Sequence, residues 1–153
     1  MALIFLGLGS NLGHKEEFIE LAISEIKKQI GPIVARSAFY DSDPWGFESP
    51  NSFINACVAV ETTIDPNECL RIVSSIECLL GRSKKTTDGY KDRVIDIDIL
   101  FYDQVIIQET NLTIPHPLLH LRKFVLDPLV EIAPKLMHPI FHKDMESLLK
   151  EIN

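Results

Sequence analysis

The sequence predicts an α+β domain, an antiparallel sheet with helices on one face and additional pieces at the C-terminus. Two observations carry this. Four apolar or alternating runs read as strands and two amphipathic runs read as helices. They follow one another as β-α-β-β-α-β, an order in which sequential strands pair antiparallel and the helices share a face. A length of 153 residues fills one domain and not comfortably two, so residues 1 to 153 are read as a single domain.

The first strand is residues 2 to 8, inside the apolar opening MALIFLGLGS. That opening lacks a basic start and an obvious cleavage site, which argues against a signal peptide. A helix follows over residues 15 to 30, with Phe18, Leu21, Ala22, Ile26 and Ile30 as its apolar stripe and Gly31-Pro32 as its stop. The second strand is residues 33 to 40. Next, DSDPWGFESPNS at 41 to 52 is too rich in Pro, Gly, Ser and Asp for regular structure. It reads as a loop long enough to suspect function.

The third strand is residues 53 to 62. Asp65, Pro66 and Glu68 supply a cap, a first-turn proline and a capping-box acid. The helix they start turns Cys69, Ile72, Val73, Ile76 and Leu80 inward and ends at Gly81. A polar loop over 82 to 93 leads into the fourth strand. Short strands are expected at 105 to 108 and 112 to 114, and short helices near 117 to 121, 128 to 132 and 145 to 152. The core order is the ferredoxin-like split βαβ arrangement, with the C-terminal pieces read as decoration.

Composition excludes several function classes. Apolar content of 46% and charged content of 24% are ordinary for a globular protein. No apolar run approaches the ~20 residues that cross a bilayer. Net charge of −7 argues against nucleic acid and anionic membranes as partners. Cys57, Cys69 and Cys78 lack metal-ligand spacing and are odd in number, and they read as small core residues in a reducing cytoplasm.

The fourth strand carries the chemistry. In YKDRVIDIDILFYD, Ile95, Ile97 and Ile99 alternate with Asp96 and Asp98, so the acids share one face. Side chains two apart lie roughly 7 Å from each other, and two carboxylates there repel by roughly 2–3 kcal/mol at an effective dielectric near 20. Taken alone, Asp-x-Asp is a solvated sheet face. Its neighbour changes the reading, because RSKKTTDGYKDR at 82 to 93 holds five basic and two acidic residues. A basic segment beside paired carboxylates suits a metal–polyphosphate complex. Hard oxygens hold Mg²⁺, and Arg and Lys hold the phosphate oxygens the metal leaves uncovered. Spacing leaves open whether each acid bridges two ions or each holds one.

GLGSNLG at 7 to 13, FINA at 53 to 56, DRVIDIDILFYD at 92 to 103, TIPHP at 113 to 117 and RKFVLDPLVEIAP at 122 to 134 occur in the order and spacing of one family. Over essentially its whole length the chain resembles the 6-hydroxymethyl-7,8-dihydropterin pyrophosphokinases of folate biosynthesis. The resemblance implies a ferredoxin-like fold and transfer of the β,γ-diphosphate of ATP to the pterin hydroxymethyl group, with release of AMP. It implies two Mg²⁺ ions with ATP, held by Asp96 and Asp98. It places Arg93 on phosphate, Arg82 and Lys84 in a loop over ATP, and His116 and Arg122 on the triphosphate. Thr113 and Glu77 fall in the nucleotide region. Phe53 and Phe124 sandwich the pterin, while Ser42, Asn55 and the backbone near Trp45 read its edge. A flat ring with a hydrogen-bonding rim suits two aromatic faces and one amide. ATP and 6-hydroxymethyl-7,8-dihydropterin are the implied partners of a cytoplasmic enzyme expected to be monomeric.

Tyr90, Lys91 and Asp92 depart from the family, which usually has tryptophan at the first position and a stiffer link before the arginine. Two other readings compete. The glycines of GLGSNLG are spaced one residue too long for a dinucleotide fingerprint, and a turn before a helix accounts for them. Ferredoxin-like domains also serve as non-catalytic sensors, which would bind ligand and release no AMP.

Overall fold

The computed structural model describes residues 1–81 and 92–153. Arg82, Lys84, Tyr90 and Lys91 lie outside the described residues. The element order is β1 (Ala2–Ser10), α1 (Lys15–Gln29), β2 (Ile33–Arg36), β3 (Tyr40–Ser42), β4 (Phe53–Thr62), α2 (Pro66–Leu79) and β5 (Asp96–Tyr102). It continues with β6 (Ile107–Gln108), β7 (Thr113–Ile114), a 3₁₀ turn at Leu119–Leu121, α3 (Lys123–Ile132) and α4 (Met145–Ile152). The main sheet runs β2-β4-β1-β5, with β3 also paired to β4, and each of these pairings is antiparallel. β6 and β7 form a separate hairpin. No helix among the described residues is long and apolar enough to cross a membrane.

Local signals explain the helix ends. The Asp65 side chain accepts the Glu68 N–H at 2.9 Å, and Pro66 opens α2. In α1, Glu16 and Glu17 stand in the first turn and Lys27 and Lys28 in the last, matching the helix dipole. The buried face of α1 is Ile19, Ala22, Ile23 and Ile26, whereas Leu21 is exposed. The predicted stripe was therefore rotated. Ile19, Ile23, Ile26 and Ile30 keep the three- and four-residue spacing of one helical face, and Leu21 falls off it.

Helices cover both faces of the sheet. α1 and α2 pack with Ile4, Leu6, Leu8, Val58, Val60, Ile97 and Ile99. On the other side, Val125, Leu126 and Leu129 of α3 and Met145 and Leu148 of α4 pack with Phe5, Cys57, Ala59 and Phe101. The C-terminal pieces are thus a second layer, not decoration. β1 and β4 are apolar on both faces, and such strands need cover on both.

Other boundaries move for stated reasons. Strand 33 to 40 is broken after Arg36, where the Ser37 hydroxyl takes the Cys57 N–H at 2.9 Å. β3 then resumes beside β4 and takes Asp41 and Ser42 from the expected loop. α3 begins at Lys123 and contains Pro128, so the helix expected from 128 is longer at its start. Pro128 is the sixth residue of α3, past its first turn, so the helix gives up the bond that an N–H there would make to the Phe124 carbonyl. Cys57 and Cys69 are buried as expected, and burial pushes the Cys69 thiol up to about 11. Cys78 is exposed, so it is not a core residue.

Candidate active site

The expected strand alternation holds, with Ile95, Ile97 and Ile99 buried and Asp96 and Asp98 on the opposite face. Antiparallel register then sets the site. Gly9 lies between Asn55 on β4 and Asp96 on β5, and Gly7 lies between Cys57 and Asp98. Two cross-strand rows, Asn55–Gly9–Asp96 and Cys57–Gly7–Asp98, therefore share the sheet face beneath α3. The glycines remove the middle side chain of each row. The result is a pocket whose empty space, open mouth included, is roughly 750 Å³.

Nine of the residues singled out in the sequence line this pocket. Arg93, Asp96, Asp98 and Arg122 bring the charge, and Ser42, Trp45, Phe53, Asn55 and Phe124 bring the apolar and hydrogen-bonding wall. Three others lie elsewhere. His116 sits beside the pocket, its Nε2 4.0 Å from Asp98 Oδ2. Thr113 pairs with Gln108 in the β6–β7 hairpin. Glu77 is buried on α2, where its carboxylate accepts the Ile97 N–H at 2.7 Å. That bond holds the backbone between the two aspartates.

The polar groups are oriented. Asn55 is buried, and its Nδ2 donates to Ser42 Oγ at 2.7 Å and to the Tyr40 carbonyl at 3.3 Å. A carbonyl only accepts, so the amide nitrogen must face it. The Asn55 oxygen is thereby the atom nearest to where a side chain on Gly9 would begin. His116 Nδ1 accepts the Leu118 N–H at 3.2 Å, which leaves its proton on Nε2, toward Asp98. Burial, with Arg122 adding to it, pushes His116 down to about 4, so it is neutral at pH 7.

Arg122 joins the two halves. It is 6% exposed, although taken alone in sequence it would read as a solvated charge. Its guanidinium lies 4.5 Å from the Trp45 ring centre and 5.6 Å from that of Phe124, and Nη1 is 3.9 Å from Asp98 Oδ2. Buried cations of this kind need aromatic faces and an anion nearby.

A second link was not read from the sequence. Asn11 donates to Asp92 Oδ1 at 2.6 Å and accepts the Arg93 N–H at 2.6 Å, and Asn51 reaches Asp92 Oδ2 at 3.4 Å. Hydrogen bonds from Ser49, Asn11 and Asn51 hold the Asp92 carboxyl below its usual range. Asp92 thus ties the 43–52 loop to the segment carrying Arg93. Gly7, Gly9 and Phe47 were also missed as pocket residues. Phe47 packs edge-on to Phe53, with ring centres 6.3 Å apart. A Gly-x-Gly pair within a strand was the available signal for a one-sided notch.

The profile of the family described as 7,8-dihydro-6-hydroxymethylpterin-pyrophosphokinase (HPPK) matches residues 5–134. The chain belongs to this family. It is similar to the 2-amino-4-hydroxy-6-hydroxymethyldihydropteridine pyrophosphokinase of Porphyromonas gingivalis, 43% identical over 141 residues, 91% of this chain and 95% of that protein. The enzyme of the same name from Aquifex aeolicus is 37% identical over 151 residues, 99% of this chain and 92% of that one. Folic acid synthesis protein fol1 of Schizosaccharomyces pombe is 36% identical over 149 residues, and the chain covers 20% of its length. The fold matches the crystal structure of Plasmodium falciparum HPPK-DHPS with STZ-DHP at a TM-score of 0.81 and 18% identity. That match covers 98% of this chain and 43% of the solved one. Membership makes this an HPPK, a pyrophosphokinase of folate biosynthesis, as the sequence resemblance implied.

The glycine notch gives a test on HPPK turnover. A Cβ on Gly9 would stand 3.2 Å from Asn55 Oδ1 and 3.5 Å from the Phe53 ring. Gly9→Ala is expected to raise the pterin KM by about tenfold, with the ATP KM moved less than about twofold. Equal effects on both substrates in steady-state kinetics would contradict a notch on the pterin side.

Proposed function

We propose that the pocket seats the pterin between Phe53 and Phe124, with Asn55 and Ser42 at its edge, and MgATP against Asp96 and Asp98. The enzyme then transfers the diphosphate of ATP to the hydroxymethyl group and releases AMP. One observation carries this reading: register places Asn55 and Asp96 on either side of side-chain-free Gly9. An acceptor held by the amide is thereby a short reach from the acids.

The acids suit magnesium. Two carboxylates on one strand face offer hard oxygens, and no larger cluster of His, Cys, Asp and Glu fit for a metal occurs among the described residues. Mg²⁺ is commonly held by one or two carboxylates together with substrate phosphates and water, so the pair fits it. When bound, two such ions supply charge neutralisation across the reacting phosphate oxygens and favour ionisation of the attacking alcohol.

The chain's own residues do the rest. Phe53, Phe124 and Asn55 orient the pterin so that its hydroxymethyl oxygen lies in line with the β-phosphorus. Arg93 and Arg122 donate N–H bonds to the phosphate oxygens and stabilise the negative charge that builds on them, as planar guanidinium forks do. Neutral His116 offers an N–H to an oxygen rather than a charge. Arg82 and Lys84, by resemblance, contact ATP, and Thr113 and Glu77 belong to the nucleotide region, Glu77 by steadying the strand. Trp45 closes the apolar wall.

The same reading extends to the whole chain. The sheet order β2-β4-β1-β5, with α1 and α2 on one face, supports the ferredoxin-like description. A single-domain, monomeric, cytoplasmic enzyme is proposed, with neither nucleic acid nor membrane as partner. Incubating the protein with MgATP and 6-hydroxymethyl-7,8-dihydropterin and scoring AMP tests the reading. AMP should appear with both substrates, stop on chelation and return with Mg²⁺. Binding without AMP would indicate a sensor, and AMP release in excess chelator would remove the metal from the reaction.

A further inference from the structure

β3 is three residues long and, among the described residues, pairs with β4 alone in the sheet. The start of β3 and the residues leading into it are tied to α3. The Glu131 carboxylate accepts the Ala38 N–H at 3.0 Å and the Tyr40 hydroxyl at 2.7 Å. Glu131 also pushes the Tyr40 phenol up to about 12, chiefly through that hydrogen bond, so Tyr40 stays a donor at working pH. The far end of Tyr40 matters as well. Its backbone carbonyl takes one hydrogen of the Asn55 amide, and Ser42 on the same short strand takes the other.

A continuous path therefore runs from α3 to the pocket: Glu131 to the Tyr40 hydroxyl, the Tyr40 carbonyl to Asn55 Nδ2, and Asn55 Oδ1 over Gly9. We propose that Glu131 and Tyr40 are positioning residues that fix which edge of Asn55 the ligand meets. By holding both acceptors against Nδ2, they keep Oδ1 as the group presented, so the pocket selects a ring edge that donates an N–H. Without the tether a short edge strand frays, the acceptors separate, and the amide turns between its two orientations. A site built to accept an N–H discriminates strongly against an analogue lacking one. α3 also carries Phe124, Val125 and Pro128 along the pocket wall, so the same pair sets the spacing of wall and edge.

This inference rests on the assignment of the pocket to the pterin. The experiment compares Tyr40→Phe, Glu131→Ala, the double variant and Asn55→Ala by steady-state kinetics. It adds equilibrium binding of a pterin analogue and of its ring-N-methylated form. Both single tether variants should raise the pterin KM by about fivefold to tenfold and leave the ATP KM within about twofold. The double variant should be no worse than Glu131→Ala alone, because the two residues act as one unit. Preference for the unmethylated analogue should shrink by a similar factor. Asn55→Ala should raise the pterin KM further. If Asn55→Ala does so while Tyr40→Phe and Glu131→Ala leave the KM and the preference unchanged, the positioning pair is wrong and the pterin site stands. If Asn55→Ala leaves the pterin KM unchanged, the site assignment fails and the pair falls with it. Equal rises in both KM values would also overturn the proposal, since they report general loosening.

Discussion

Replacing Asp98 by alanine is expected to lower turnover by about a thousandfold or more, while pterin-analogue affinity changes less than about fivefold. Around Asp98, Arg122 stands at 3.9 Å and His116 at 4.0 Å from Oδ2. Phosphoryl transfer leaves the protein little covalent work, so its contribution is placement and charge. A carboxylate that grips magnesium acts on both. In the proposed seating the pterin instead meets Phe53, Phe124 and Asn55, none of which needs Asp98, and this separates the two readouts. Asp98→Asn keeps the shape and loses the charge. It should fall nearly as far as alanine, which distinguishes a ligand from a spacer. Asp96→Ala should behave alike, because the strand presents both acids to one face. Single-turnover AMP release with saturating substrates is the measurement. A rate within a factor of about two of wild type for either alanine variant would sink the metal assignment.

Arg122→Lys is expected to lower kcat/KM by about a hundredfold, although the charge is kept. The guanidinium is a flat body seated against the rings of Trp45 and Phe124 and pointed at Asp98. An ammonium cannot stack in that way and offers no planar fork to phosphate. Both substrates should suffer, the nucleotide through the lost phosphate contact and the pterin through a disturbed Trp45–Phe124 wall. Arg122→Ala should be worse for ATP and no worse for the pterin. Separate KM values, with tryptophan fluorescence as a report on Trp45, would show this. A lysine variant with wild-type kinetics would make Arg122 a packing residue only.

Some of this site was legible from local pattern. The Ile/Asp alternation at 95 to 99 dictated which side of a strand the acids occupy, because strand geometry repeats every two residues. Asp65-Pro66 announced α2, since cap chemistry is local. The loop read at 41 to 52 announced itself by composition, although its first two residues belong to β3. Arg82 and Lys84, by contrast, were placed by resemblance alone and lie outside the described residues.

What the chain by itself determined was therefore one-dimensional: the kinds of element, the faces of strands, the family motifs and the chemistry of the side chains. Tertiary structure decided the neighbours. Only pairing β1 between β4 and β5 puts Gly9 between Asn55 and Asp96, residues far apart in sequence. Only docking α3 on the second face buries Arg122 among aromatics and lets Glu131 reach Tyr40. The physical reason is range. Backbone sterics and capping act over a few residues and leave their mark in the local sequence. Register and layer packing come from burying many apolar side chains at once, and no single segment encodes that outcome.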